Sequence, residues 1–188
     1  MFLYGKLSSD KSEFVEVIKH KGAYELMVKW IKVTQNQYIG FFALGLALFV
    51  LQELPYIIMP LISLSTNPLM EMQDKLLILN AIEKVLGVSC IITMMFLVRG
   101  DAKWFSLGTS MERIFFCVAM LAIIVYFVGW FLYFNGFQSI LLILCILVAM
   151  PPIYYASIGL WRRNYVLAVL GGMFLLVHLG NVWNNLAR

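Results

Sequence analysis

The run Ile114–Phe134 contains no charged residue and is bounded by Glu112-Arg113 on one side and Asn135-Gly136 on the other. A stretch this long and this apolar crosses the hydrocarbon core of a bilayer as a helix, for which about 20 residues suffice. Four more apolar runs accompany it, at about 39–63, 76–98, 137–160 and 165–183. Within a bilayer the chain must satisfy its own backbone polar groups, so such runs fold as helices. Of the 188 residues, 62% are hydrophobic and 13% charged, against about 25% charged in soluble domains. The sequence therefore predicts an all-α integral membrane protein whose five transmembrane helices fill residues 39–188 as one compact domain. No internal repeat, low-complexity tract or long linker divides it.

Residues 1–38 read as an amphipathic N-terminal segment. Asp10 and Glu13 have the spacing of a helix cap. Phe14, Val17 and Ile18 then share one helical face, with Glu13, Glu16 and Lys19 on another. Beyond Gly22, a second stretch sets Tyr24, Met27, Trp30 and Ile31 against Glu25, Lys29 and Lys32. This pattern predicts a helix lying in the membrane interface over roughly residues 13–33, with Trp30 at headgroup depth. A helix that docks on a protein partner is the alternative. No cleavable signal peptide is expected, because the first residues lack an apolar core.

Polar breaks separate the runs. Ser63–Pro68 ends the first span, and Arg99-Gly100-Asp101 ends the second. Asn135-Gly136 is a tight-turn signal that makes spans three and four a close hairpin. Pro151-Pro152 predicts a kink in the later half of span four, and Trp161–Asn164 is a short basic turn before span five. An odd number of spans puts the termini on opposite sides. With the N-terminus cytoplasmic, that side holds Lys6, Lys11, Lys19, Lys21, Lys29, Lys32, Arg99, Lys103, Arg113, Arg162 and Arg163, while the other holds Lys75 and Arg188. The positive-inside rule therefore orients the chain in a cell membrane with its C-terminus exterior.

The informative residues are the polar ones inside the spans. A charge at the bilayer centre costs about 2.5–3.5 kcal/mol on insertion scales, so it is usually paired and often functional. Gln52 and Glu53 lie past the middle of the first span, Asn80, Glu83 and Lys84 in the second, and His178 and Asn181 in the fifth. In the orientation above, these three helices place their polar groups in the exterior half. Lys84 needs a partner on another helix or must snorkel outward. Glu53 is the candidate partner, and His178 is the candidate if Lys84 is not. Tyr126, Trp130 and Tyr133 fall near the exterior end of the third span, as an interfacial aromatic belt or as one wall of a cavity.

Cys90, Cys117 and Cys145 are isolated within apolar runs and read as small packing residues. No metal-ligand spacing, phosphate loop or nucleophile motif is present, so no cofactor and no metal is expected. Membrane lipids are the expected surroundings, and a nucleic-acid partner is not expected. The leading expectation is binding or transport of a small polar or charged molecule at Glu53, Gln52, Asn80, Lys84, His178, Asn181, Trp130 and Tyr126. Five spans are few for a transporter, which suggests a homodimer or a larger membrane complex. The alternatives are a lipid-modifying enzyme using Glu53 and His178 as acid–base groups, and an accessory or immunity-type subunit whose polar cluster is closed by side-chain pairs.

Overall fold

The computed structural model describes residues 27–73, 75–100 and 105–186. It is mostly helical (69%), and five of its helices are long and apolar enough to cross a membrane. These are α1 (Ala43–Ile58, continued by a 3-10 turn Met59–Leu61), α2 (Leu77–Phe96), α3 (Ser110–Phe134), α4 (Ile140–Trp161) and α5 (Tyr165–Leu186). On α3, Leu121, Ile124, Val128 and Phe131 are exposed along one face, while Ala119, Ala122, Tyr126, Trp130 and Tyr133 are buried on the other. So large an apolar face would be a liability in water and is the ordinary surface of a helix in lipid. The chain is thus built as an integral membrane protein.

Local chemistry sets the helix ends. α3 starts at Ser110 rather than Ile114 because Thr109 and Glu112 form a capping box. Its C-terminus is a Schellman turn: Gly136 has φ 89°, and Phe137 N–H donates to the Leu132 carbonyl at 3.0 Å. The Asn-Gly signal accordingly makes the expected hairpin. In α4 the irregularity appears as π-helical turns over Ile143–Val148. Pro151 and Pro152 then open the last helical section, Met150–Trp161, where a backbone N–H would lack an intrahelical partner anyway. α4 closes with a second Schellman turn in which Asn164 N–H donates to the Gly159 carbonyl at 2.7 Å, and Arg163 takes the left-handed position at φ 52°. Arg163 is fastened there by Glu112, 3.1 Å away.

Residues 27–42 correct the expected interfacial helix. Met27–Lys32 (β1) and Gln37–Phe42 (β2) form an antiparallel hairpin, and β2 also pairs with Leu97–Arg99 (β3). The part of the amphipathic segment at residues 1–26 lies outside the described residues. Two physical features outweigh the helical periodicity here. Val28, Ile31, Val33, Tyr38, Ile39, Phe41 and Phe42 are β-branched or aromatic, and Gly40 weakens a helix. In addition, β2 runs directly into α1 and β3 runs directly out of α2, so the sheet prolongs the α1–α2 pair beyond the apolar spans. Gly40 is required in that ladder, because a Cβ there would lie 2.0 Å from the Val28 carbonyl oxygen. The first span consequently begins at Ala43 rather than at 39.

The sheet is locked to the α4–α5 turn. The Arg162 guanidinium lies 4.4 Å from the centre of the Phe42 ring, and Asn164 Nδ2 donates to the Leu97 carbonyl at 3.3 Å. Burial lowers the Arg162 pKa to about 10, while the Glu112 carboxylate opposes that shift. At the far end of the bundle, the segment 62–76 is strapped over the helix ends. Tyr133 Oη donates to Asn67 Oδ1 at 2.7 Å, Gln138 Nε2 to the Thr66 carbonyl at 2.9 Å, and Lys75 Nζ to the Asn184 carbonyl at 2.9 Å.

Candidate functional site

α2 presents Glu83 to the interior, and the neighbouring Lys84 therefore cannot follow it. Adjacent helical residues differ by about 100° in direction, so Lys84 is exposed on the outward face among Ile82, Val85 and Val88. Among the described residues, Glu53 and Lys84 form no ion pair; that expected partnership is corrected. The acid that α2 contributes is Glu83, one helical turn before Gly87. A Cβ on Gly87 would meet the Phe174 ring at 3.4 Å, so this face of α2 packs against α5.

α5 answers with two side chains one turn apart. His178 Nδ1 is 2.5 Å from Glu83 Oε1, and Asn181 Nδ2 donates to Glu83 Oε2. A single shared proton makes this contact a hydrogen bond, with either the imidazole or the carboxyl group as its donor. The imidazole also stacks on Phe174, with ring centres 4.9 Å apart. Both carboxylate oxygens of Glu83 are thereby occupied. The alternative pairing of His178 with Glu53 is likewise replaced by Glu83.

α1 and α4 form the second half of the cluster. Gln52 is buried and accepts a hydrogen bond at Oε1 from the Tyr155 hydroxyl. From the neighbouring position on α4, the Tyr154 hydroxyl donates to the carbonyl of Leu48, one turn before Gln52 on α1, at 3.1 Å. Glu53 is half-buried, with the Gln52 side chain as its polar neighbour. Tyr56 follows Gln52 by one turn on α1 and packs toward α3. Its ring meets Trp130 edge-on at 5.1 Å.

α3 supplies the aromatic wall. Trp130 packs against Tyr126 at 6.1 Å, Tyr133 at 5.4 Å and Phe134 at 5.2 Å. Tyr126 and Trp130 are each 1% exposed, so they are core residues and not an interfacial belt. Tyr126 Oη, Trp130 Nε1 and Asn181 Oδ1 are buried without a hydrogen-bond partner, although Gln52 and Trp130 are the polar neighbours of the Tyr126 hydroxyl. An unmet buried polar group costs about 1–3 kcal/mol. Two of the three, Tyr126 Oη and Trp130 Nε1, lie one turn apart on α3, and the third is on α5, on the residue that bonds Glu83.

Of the residues singled out in the sequence, Gln52, Glu53, Tyr126, Trp130, His178 and Asn181 belong to this cluster. Asn80 is half-buried on α2, one turn before Glu83, and Lys84 is turned away. Tyr56, Glu83 and Tyr155 are functional candidates that spacing alone did not single out. Glu83 had a usable signal: its i+4 neighbour Gly87 marks a face of close helix approach. Tyr154-Tyr155 behind two prolines offered another, as a polar pair in an aliphatic run. Among the described residues, no three His, Cys, Asp or Glu side chains gather to hold a metal ion.

Clefts also open at both ends of the bundle. One of about 460 Å³ lies at the far end between Glu71, Gln138, Trp183 and Asn185. Another of about 740 Å³ lies at the sheet end between Gln37, Arg99, Glu112 and Arg163. Searches against protein-family models, curated proteins and solved structures found no match to this chain.

Proposed function

We propose that this chain binds or transports a small polar or charged molecule at the intramembrane cluster around Glu53, Tyr56, Tyr126 and Trp130. The observation that carries this reading is the set of buried polar atoms left without partners at Tyr126, Trp130 and Asn181. A region that served packing alone would pair these groups or replace them with apolar ones, because each costs stability. Bound solute or water reached through an opening would satisfy them. In this reading the protein resides in the cell membrane with its N-terminus and sheet cytoplasmic, and the site is reached from the exterior end.

The test is solvent access. In a background with Cys90, Cys117 and Cys145 changed to Ala, Tyr126→Cys is reconstituted in nanodiscs and treated with neutral 2-hydroxyethyl methanethiosulfonate. Complete modification within minutes, in protein that stays monodisperse, is the expected result. An unreactive thiol in folded protein would mean a sealed cluster. That outcome favours a second reading, an accessory membrane subunit, for which Lys84 is the specific support: its ammonium faces outward amid apolar side chains, where a carboxylate on a partner helix would relieve it.

A further inference from the structure

We propose that the cleft at the sheet end of the bundle binds an anionic phospholipid, with its phosphate on the Arg99 and Arg163 guanidiniums. This site is separate from the intramembrane cluster and does not depend on the reading of that cluster. Space is the first ground. The cleft measures about 740 Å³, within the range of pockets that enclose a small molecule rather than a lone ion. A smaller pocket of about 20 Å³, room for a water, shares Gln37, Arg99 and Arg163 as walls with it and adds Arg162 and Asn164.

The donor set is the second ground. Asn36 and Gln37 line the cleft from β2 and the turn before it, Arg99 from β3, and Arg163 from the α4–α5 turn. Arginine carries its N–H donors in a fixed fork that matches the oxygens of a phosphate, and the amide side chains add neutral donors. One carboxylate, Glu112, also lines the cleft. Its Oε1 is 3.1 Å from Arg163, while its Oε2 accepts from the Gly108 N–H at 2.8 Å, the Thr109 N–H at 3.2 Å and the Ser106 hydroxyl at 3.0 Å. Glu112 thereby serves the α3 cap. The cleft and its small neighbour together set three arginines against this one carboxylate among the described residues, an excess that favours an anion. The third ground is the apolar side of the same cleft. Phe115 and Leu160 line it from the membrane-spanning helices α3 and α4. A soluble anion would leave those side chains uncovered, whereas a phospholipid brings acyl chains to them and a phosphate to the arginines.

The experiment is native mass spectrometry of the purified full chain in detergent, titrated with phosphatidate, phosphatidylglycerol or phosphatidylcholine. Both anionic lipids should bind at least about fivefold more tightly than phosphatidylcholine, the weight of one arginine near an anionic membrane surface. Arg99→Gln should reduce that preference by about fivefold or more. Asn36→Asp, which puts a carboxylate on an exposed turn residue of the cleft, should do the same and keeps the test open if Arg99→Gln fails to fold. Arg113→Gln should leave the preference unchanged, because Arg113 is exposed beside Glu112 but is not among the cleft walls. Equal binding of anionic and zwitterionic lipids would overturn the proposal. So would an equal loss in Arg113→Gln and the cleft variants, which would mean diffuse attraction to the basic end. Displacement of phosphatidate by an equal concentration of glycerol 3-phosphate would assign the cleft to a soluble phosphate ester and overturn the lipid.

Discussion

Glu83 shows how one residue decides a site. Its side chain is 15% exposed and that of His178 is 13% exposed, so the pair is largely removed from solvent. A lost partner at such a position leaves a buried group unmet, at about 1–3 kcal/mol. Glu83→Leu and His178→Leu should therefore each destabilise the protein in SDS-unfolding titrations by about that amount. The double variant should lose about 1 kcal/mol or more less than the sum of the singles, since it removes both members of the strongest contact. Losses that add within about 0.5 kcal/mol would show that the 2.5 Å contact contributes no coupling. Residue identity made such a contact foreseeable; its direction was not. Glu83 and Lys84 are equally polar in sequence, and nothing short of the α2–α5 packing says which of the two turns inward.

Helix crossings carry the next level of organisation. α4 and α5 cross at small residues: a Cβ on Gly159 would lie 2.5 Å from the Ala168 nitrogen, and one on Gly171 would lie 2.7 Å from the Ala156 nitrogen. Both obstacles are backbone atoms, which cannot swing aside as a flexible side chain can. Small residues at such crossings let helices in lipid gain van der Waals contact that larger ones would prevent. Gly171→Ala should consequently destabilise by about 1–3 kcal/mol, the usual range for overpacking. Gly172→Ala, with nothing within 4 Å of its added Cβ, should leave the SDS midpoint unchanged or raise it. Equal behaviour of the two variants would contradict the crossing. Helices were the most legible elements of the chain, because long apolar runs admit little else in a membrane. The hairpin at residues 27–42 was not, since Tyr24, Met27, Trp30 and Ile31 fit a helical stripe by spacing. What overrides that stripe is the offer of ladder hydrogen bonds by β3 at the end of α2, a long-range feature that a local period cannot report.

At the scale of the whole molecule, the five helices put the sheet and the strap 62–76 at opposite ends. Among the described residues, the sheet end carries Lys29, Lys32, Arg99, Arg113, Arg162 and Arg163, whereas the strap end carries Lys75. By the positive-inside rule, such an imbalance is the ground for the proposed orientation with the basic end cytoplasmic. The span count was readable because adding or removing one run would scatter these charges over both sides. The depth of the polar cluster was readable for a similar reason, since rise per residue converts position into height. The proposed function depends on the same orientation: the cluster lies toward the strap, so a solute entering from that end would pass the Tyr133–Asn67 and Gln138–Thr66 contacts. The measurement is side-specific labelling. In the cysteine-free background, Gln35→Cys in the β1–β2 turn and Asn135→Cys in the α3–α4 turn both lie on exposed residues. An impermeant maleimide added to intact cells should label the Asn135→Cys protein and spare the Gln35→Cys protein until the cells are opened. The reverse pattern would place the strap inside the cell, and the solute would then have to enter the cluster from the cytoplasm.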